Sequence, residues 1–264
     1  MADAAVTHEV AVYEPSLFGT YSKKIGMWLF LLSDSLTFGA LLYAYSYGRI
    51  SITNWPTPFH SGSIVNATIM TAFLLTSSLT MVLAVSAAAR GKESARVGWL
   101  LATMACGVGF IILHGREWTH LISEGLTLPI FPAVPGQDAA SEFAGVSKTV
   151  PQFGSTFFTL TGMHMLHVTL GVVYLGVIAL RKKFIPILLG CWLVAWLATP
   201  SYSPFHYAAH VLLVAAIICS VILWLKPKVY DAADTEVAGL YWHFVDLVWM
   251  FIFPLVYLMS TKII

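Results

Sequence analysis

Charge is what this chain has least of. Lysine, arginine, aspartate and glutamate together supply 10% of its residues, far below the roughly 25% of a soluble domain, so a water-facing surface around an ordinary core is excluded. Basic runs are equally scarce. The longest is Arg181-Lys182-Lys183, and a net charge of +1 leaves no electrostatic footprint for nucleic acid. Cysteine is reduced to Cys106, Cys191 and Cys219, each alone in an apolar run without CxxC spacing, which points to packing rather than to a thiolate metal site. The first residues lack the basic start and short apolar core of a cleaved signal. With Asp3, Glu9 and Glu14 among them, residues 1–22 read as a retained tail ordered on a partner.

What is present in excess is hydrocarbon: 58% of residues are apolar. At about 20 apolar residues per crossing, spans are expected at 24–47, 64–89, 97–118, 153–180, 184–199, 205–225 and 237–260. The fold class is therefore an all-α, polytopic transmembrane bundle of about seven helices, forming one membrane domain over 1–264. The fifth span is the shortest. Pro186 sits in its first turn, and Pro200 with residues 201–204 reads as a tight turn, so 184–225 is expected to form a helical hairpin. No internal repeat or pair of matching broken helices marks a transporter.

Lysine and arginine divide unevenly between alternate loops. One side carries Lys23, Lys24, Arg90, Lys92, Arg96, Arg181, Lys182, Lys183, Lys226 and Lys228, and the other Arg49, Arg116, Lys148 and Lys262. Ten against four predicts a cytoplasmic N-terminus and an external C-terminus. The longest loop, 119–152, is then external, rich in Pro, Gly and Ser, and expected to be irregular.

Ionisable groups inside the spans carry the chemistry. Counting 1.5 Å per residue, Asp34 and Asp246 lie about 15 and 12 Å above their helices' inner ends, and His167 about 21 Å above Arg181. His164 and His167 share a helix face, as do His243 and Asp246. Groups at such depth need partners. A di-metal bundle site normally uses Glu-x-x-His with further glutamates, whereas the spacings here are His-x-x-His and His-x-x-Asp. No helix offers two well-separated histidines for stacked haems. No catalytic, cofactor-binding or metal-ligating residue is therefore assigned, and Asp34, His164, His167, His243 and Asp246 are read as a polar network pinning helices together, with a proton-conducting role the alternative. Glu117, beside His114, Arg116 and Trp118, is expected at the membrane interface as an anchor. His60, His120, His206 and His210 read as interfacial or packing residues. Arg181 and Lys182 are candidates for an anionic lipid headgroup or a plain topogenic cluster. Ser77, Ser78, Ala84, Ala87 and Ala88 suit close helix approach.

Three long strings then carry a resemblance: Phe153-Gly154-Ser155-Thr156-Phe157-Phe158, Gly162-Met163-His164-Met165-Leu166-His167-Val168, and residues 238–249 around Tyr241-Trp242-His243-Phe244-Val245-Asp246. With residues 24–34, ending in Asp34, and Glu117-Trp118, they resemble subunit III of the haem-copper oxidases over about three quarters of the chain. That family usually has Glu where Asp34 stands. The chain also lacks the first two helices of seven-helix members, resembling the short five-helix bacterial form with a hairpin inserted at 184–225. The hairpin is expected either to take the place of the missing pair or to dock a partner.

The resemblance implies an accessory, non-catalytic subunit of a proton-pumping oxidase that reduces oxygen to water. It implies haem and copper in partner subunits only, packing against catalytic subunit I and subunit II, phospholipids held in a cleft, and support of proton uptake. Asp34 would be the buried acid, His164 and His167 its polar partners, His243 and Asp246 the terminal motif, and Arg181 a lipid contact. Cytochrome c is the expected donor, and the hairpin favours membership of a larger respiratory supercomplex. A quinol oxidase subunit, an accessory protein of nitric oxide reductase and a stand-alone proton or ion transporter are the alternatives.

Overall fold

The computed structural model describes residues 22–52, 55–56, 59, 61–123, 126, 151–180, 184–198, 204–225 and 230–259. Seven α-helices account for nearly all of them: α1 (Ser22–Ser51), α2 (Ser61–Ala89), α3 (Glu93–Ser123), α4 (Pro151–Leu180), α5 (Phe184–Ala198), α6 (Pro204–Leu225) and α7 (Ala232–Ile252). The last continues into a π-helical turn, Phe253–Leu258. Among the described residues there is no strand. In hydrocarbon, helices satisfy every backbone group within the segment, so long apolar runs have little alternative.

Among the described residues, five helices are long and apolar enough to cross a membrane: α1, α2, α3, α4, and α7 with its π-helical turn. The hydropathy runs suggest seven. α5 has 15 residues, about 22 Å of helix against a hydrocarbon core of about 30 Å. α6 has 22 residues, long enough on that count to reach across it. Helix also takes both ends of the stretch expected to be an irregular loop, because α3 runs on through Ser123 and α4 begins at Pro151. The N-terminal tail up to residue 21, most of 119–152, and Arg181 and Lys182 lie outside the described residues.

α2, α3, α4 and α7 close into a four-helix ring, each packed on the next. α1 lies outside that ring, against α4 and α7, and α5 and α6 pack chiefly on each other. Val177 of α4 meets Ala216 and Cys219 of α6 in a small satellite cluster. The ring begins with a tight reversal between α2 and α3. Gly91 adopts φ 67°, and the Lys92 and Gly91 amides donate to the Ala87 and Ala88 carbonyls, both at 3.0 Å. This is the double hydrogen bond of a glycine-terminated helix, which only a residue tolerant of positive φ accepts cheaply.

Two tryptophans seven residues apart on α7 fasten it to α2. The Trp242 and Trp249 indoles donate to the Ser77 and Thr71 hydroxyls, each at 2.9 Å. Trp242 fits because its neighbours lack side chains. A methyl on Gly107 would come within 2.7 Å of both the Trp242 ring and Val172. Gly107→Ala is expected to destabilise the bundle by about 1–3 kcal/mol through overpacking, seen as a lower detergent-denaturation midpoint. Gly26→Ala, with open space around its position, is the control that should not lower the midpoint and can raise it slightly, alanine being the better helix former.

α1 is held differently. Its buried residues are Leu31, Phe38 and Tyr45, a single seven-residue stripe narrower than the face of an ordinary core helix. Asp34 falls on the same seam.

Candidate functional site

Polar contacts hold α1 at both ends and in the middle. At one end Lys23 Nζ meets Asp234 Oδ1 at 2.6 Å and Lys24 Nζ meets Glu236 Oε1 at 2.5 Å. Asp234 is already fixed, because it forms a capping box with Asp231 at the start of α7. Nearby, the buried Arg96 guanidinium binds Glu93 and donates to Thr235 Oγ1 at 3.2 Å, tying α3 to the same helix start. At the far end the Arg49 guanidinium donates to the Met259 carbonyl. A cation there meets the negative end of the α7 dipole.

In the middle, His167 Nε2 stands 3.2 Å from Asp34 Oδ2. The shorter aspartate side chain still reaches. His167 Nδ1 donates to the Met163 carbonyl at 2.7 Å, which sets the ring orientation, and Phe38 packs edge-on against the imidazole at 5.1 Å. Tyr241 donates its hydroxyl to the His167 carbonyl at 3.0 Å. α1, α4 and α7 are thus joined around one polar pair. The approach places the two groups against each other across α1 and α4, offsetting part of the penalty that hydrocarbon would place on either one alone.

The remaining residues singled out by sequence go elsewhere. His164 faces the ring interior, where its Nε2 donates to the Val245 carbonyl at 3.1 Å and its imidazole packs on Phe110 and Trp249. His243 Nδ1 lies 2.8 Å from the Ser78 hydroxyl, and Ser78 also reaches the buried Asp246. Among the described residues no hydrogen bond joins the Asp34–His167 pair to the Ser78 group, so these residues form separate pins between different helix pairs. Glu117 departs from its expected place. It is not at a solvated surface but 5% exposed inside the ring, where Oε2 accepts from Asn66 Nδ2 at 2.9 Å. The helix carries α3 a turn and more past the assumed span end, so Glu117 is still inside the packed bundle. His120 and His210 are exposed; His60 and the side chain of His206 lie outside the described residues.

Sequence reading missed the partners more than the principals. Ser78 and Ser77 look like spacer residues, yet they meet His243 and Trp242. Lys23 and Lys24 look topogenic, yet they close ion pairs. The one available signal was Asp231-x-x-Asp234, a helix-start pattern just upstream of the apolar run. Among the described residues, no three His, Cys, Asp or Glu side chains are grouped so as to hold a metal ion.

No family model matches the chain. Relatives do match along most of its length. It is 29% identical to cytochrome c oxidase subunit 3 of Alkalihalophilus pseudofirmus, covering 91% of this chain and 88% of that one. It is 27% identical to cytochrome bo(3) ubiquinol oxidase subunit 3 of Pseudomonas putida, over 90% of this chain and 86% of the relative. Quinol oxidase subunit 3 of Bacillus subtilis is 27% identical, over 89% and 86%.

Proposed function

This chain is a homologue of subunit III of the haem-copper oxidases, and from that premise we propose that it is a non-catalytic accessory subunit of a proton-pumping terminal oxidase with cytochrome c as donor. The observation that carries the reading is likeness along some nine tenths of the chain to oxidase subunits of both donor types. Its residues suit a scaffold. Several titratable groups within the helices are spent on helix-to-helix contacts, at Asp34–His167, Ser78–His243 and Asn66–Glu117.

In this role the chain packs beside catalytic subunit I and subunit II, which carry the haem and copper, in a bacterial cell membrane with its N-terminus in the cytoplasm and its C-terminus in the periplasm. Phospholipids fill the side of α1 left open by the ring, with Arg181 and Lys182 at headgroups, and the chain supports proton uptake by its partner. The 184–225 hairpin docks a further subunit of a larger assembly. The alternative donor is a quinol, because relatives of that type match equally well.

Affinity purification through a tag on this chain tests the reading. Haem and copper should arrive with larger polypeptides, and the preparation should consume oxygen with reduced cytochrome c. Oxygen consumption with quinol alone selects the alternative donor. Stoichiometric iron or copper on this polypeptide alone, or proton or ion transport by it in liposomes without partners, overturns the accessory role. Stripping the chain from the complex should leave the haem spectrum intact while turnover becomes less durable.

A further inference from the structure

A second polar group lies inside the four-helix ring, toward the π-helical turn and away from the Lys23–Asp234 contact. His114 of α3 is wholly buried, flanked by Phe110 at 5.5 Å and Trp118 at 5.7 Å, and neither ring nitrogen has a protein partner. His164 of α4 is also wholly buried; its Nε2 is engaged, but Nδ1 is unpaired. From the π-helical turn comes Tyr257, with no exposure and an unpaired hydroxyl. The Trp118 indole N–H is unpaired as well. These rings share neighbours: Trp249 lies 5.8 Å from His114, 5.1 Å from His164 and 6.1 Å from Tyr257.

The π-helical turn follows from the sequence. Pro254 has no N–H to give to an α-helical bond and its ring crowds the preceding turn. The register widens, the Met259 amide closes onto the Pro254 carbonyl at 2.9 Å, and Tyr257 is packed inward against Phe59 and Phe157. Such turns recur at functional positions. Here it brings the Tyr257 ring against Trp249, the same indole that both imidazoles contact.

Unpaired polar atoms at this burial call for a partner. Its chemistry is constrained. With Nε2 donating to Val245, a neutral His164 presents a lone pair at Nδ1 and needs a donor. Trp118 presents an N–H and needs an acceptor. His114 and Tyr257 need both. An apolar guest would satisfy none of them, and an anion would face the Glu117 carboxylate one turn from His114. A molecule that is small, neutral, and both donor and acceptor fits. We propose that His114, His164 and Tyr257 bind a cluster of internal waters, bordered by Trp118 and Glu117, which gives the interior of this bundle a hydrogen-bonded, proton-exchangeable site. Buried waters of this kind typically make about three hydrogen bonds each, so two of them suffice for the unpaired atoms.

The site does not depend on the oxidase reading and is tested without activity. The assembled complex, carrying 15N-histidine in this chain, is reconstituted in lipid and examined by water-edited solid-state NMR. His114→Phe and His164→Phe each remove one signal and so assign the two rings. Magnetisation from water should reach both imidazoles, and Tyr257→Phe, which deletes one oxygen, should weaken that transfer at His114 and His164 by at least about twofold. Wild-type protein in which neither imidazole receives transfer from water overturns the proposal, and no variant is required for that reading. Transfer that Tyr257→Phe leaves unchanged at both rings also overturns it, since the hydroxyl would then hold no shared water.

Discussion

Replacing His167 with leucine is expected to weaken the bundle by about 3–5 kcal/mol, the usual cost of stranding one member of a buried ionisable pair. The cost falls on α1, because this helix has only a narrow apolar seam and depends on polar contacts along it. The reverse change is milder. The carbonyl of Met163 can only accept, so His167 Nδ1 carries a proton, and without Asp34 a neutral imidazole keeps that bond and loses only the contact at Nε2. Asp34→Leu should therefore cost about 1–3 kcal/mol, the penalty of one buried group left unsatisfied. Asp34→Asn should cost less again, since an amide N–H can donate to Nε2 in the same place. The double leucine variant should recover most of the His167→Leu loss, as apolar replacement of both partners often does. Denaturation midpoints of the four variants in mixed micelles give the order. If Asp34→Leu and His167→Leu cost the same, and the double change costs their sum, the two residues do not act as a pair.

Their partnership was half legible in the sequence. Hydropathy placed Asp34 and His167 at membrane depth, and the three-residue spacing put His164 and His167 on one face; in the structure His164 reaches α7 and His167 reaches α1. What spacing within a helix cannot show is which helix lies opposite. Asp34 meets His167 because α1 packs against α4 and α7 outside the ring, and that arrangement depends on the Leu31, Phe38 and Tyr45 seam together with charges at both ends. Glu117 shows the same limit from the other side. A hydropathy window ends where charge begins, so it set the helix boundary at the residue whose burial most needed explaining. α7 likewise starts at Ala232, ahead of the apolar run, because the Asp231–Asp234 capping box satisfies its first amides.

Trp249→Ala is the substitution expected to open the ring itself. Trp249 is wholly buried, edge-on to Phe110 at 4.8 Å, and shared by His114, His164 and Tyr257. In a lipid environment no transfer from water is at stake, so the loss is one of packing, about 3 kcal/mol, the lower end of the range for buried Trp→Ala. Its hydrogen bond is the smaller part. The Thr71 hydroxyl that accepts the indole N–H also donates to the Ala67 carbonyl at 2.8 Å, so Trp249→Phe leaves the threonine satisfied and should cost only about 1 kcal/mol beyond the smaller ring's packing loss. Thr71→Val leaves the indole unpaired yet keeps every aromatic contact, and interhelical hydrogen bonds in membranes average about 0.6 kcal/mol. The expected order of loss is Trp249→Ala, then Trp249→Phe, then Thr71→Val, read from detergent-denaturation midpoints. Thr71→Val matching Trp249→Ala would mean that the polar contact, and not the aromatic cluster, holds α7 to α2. The cluster's place at the centre of the ring would then need another explanation.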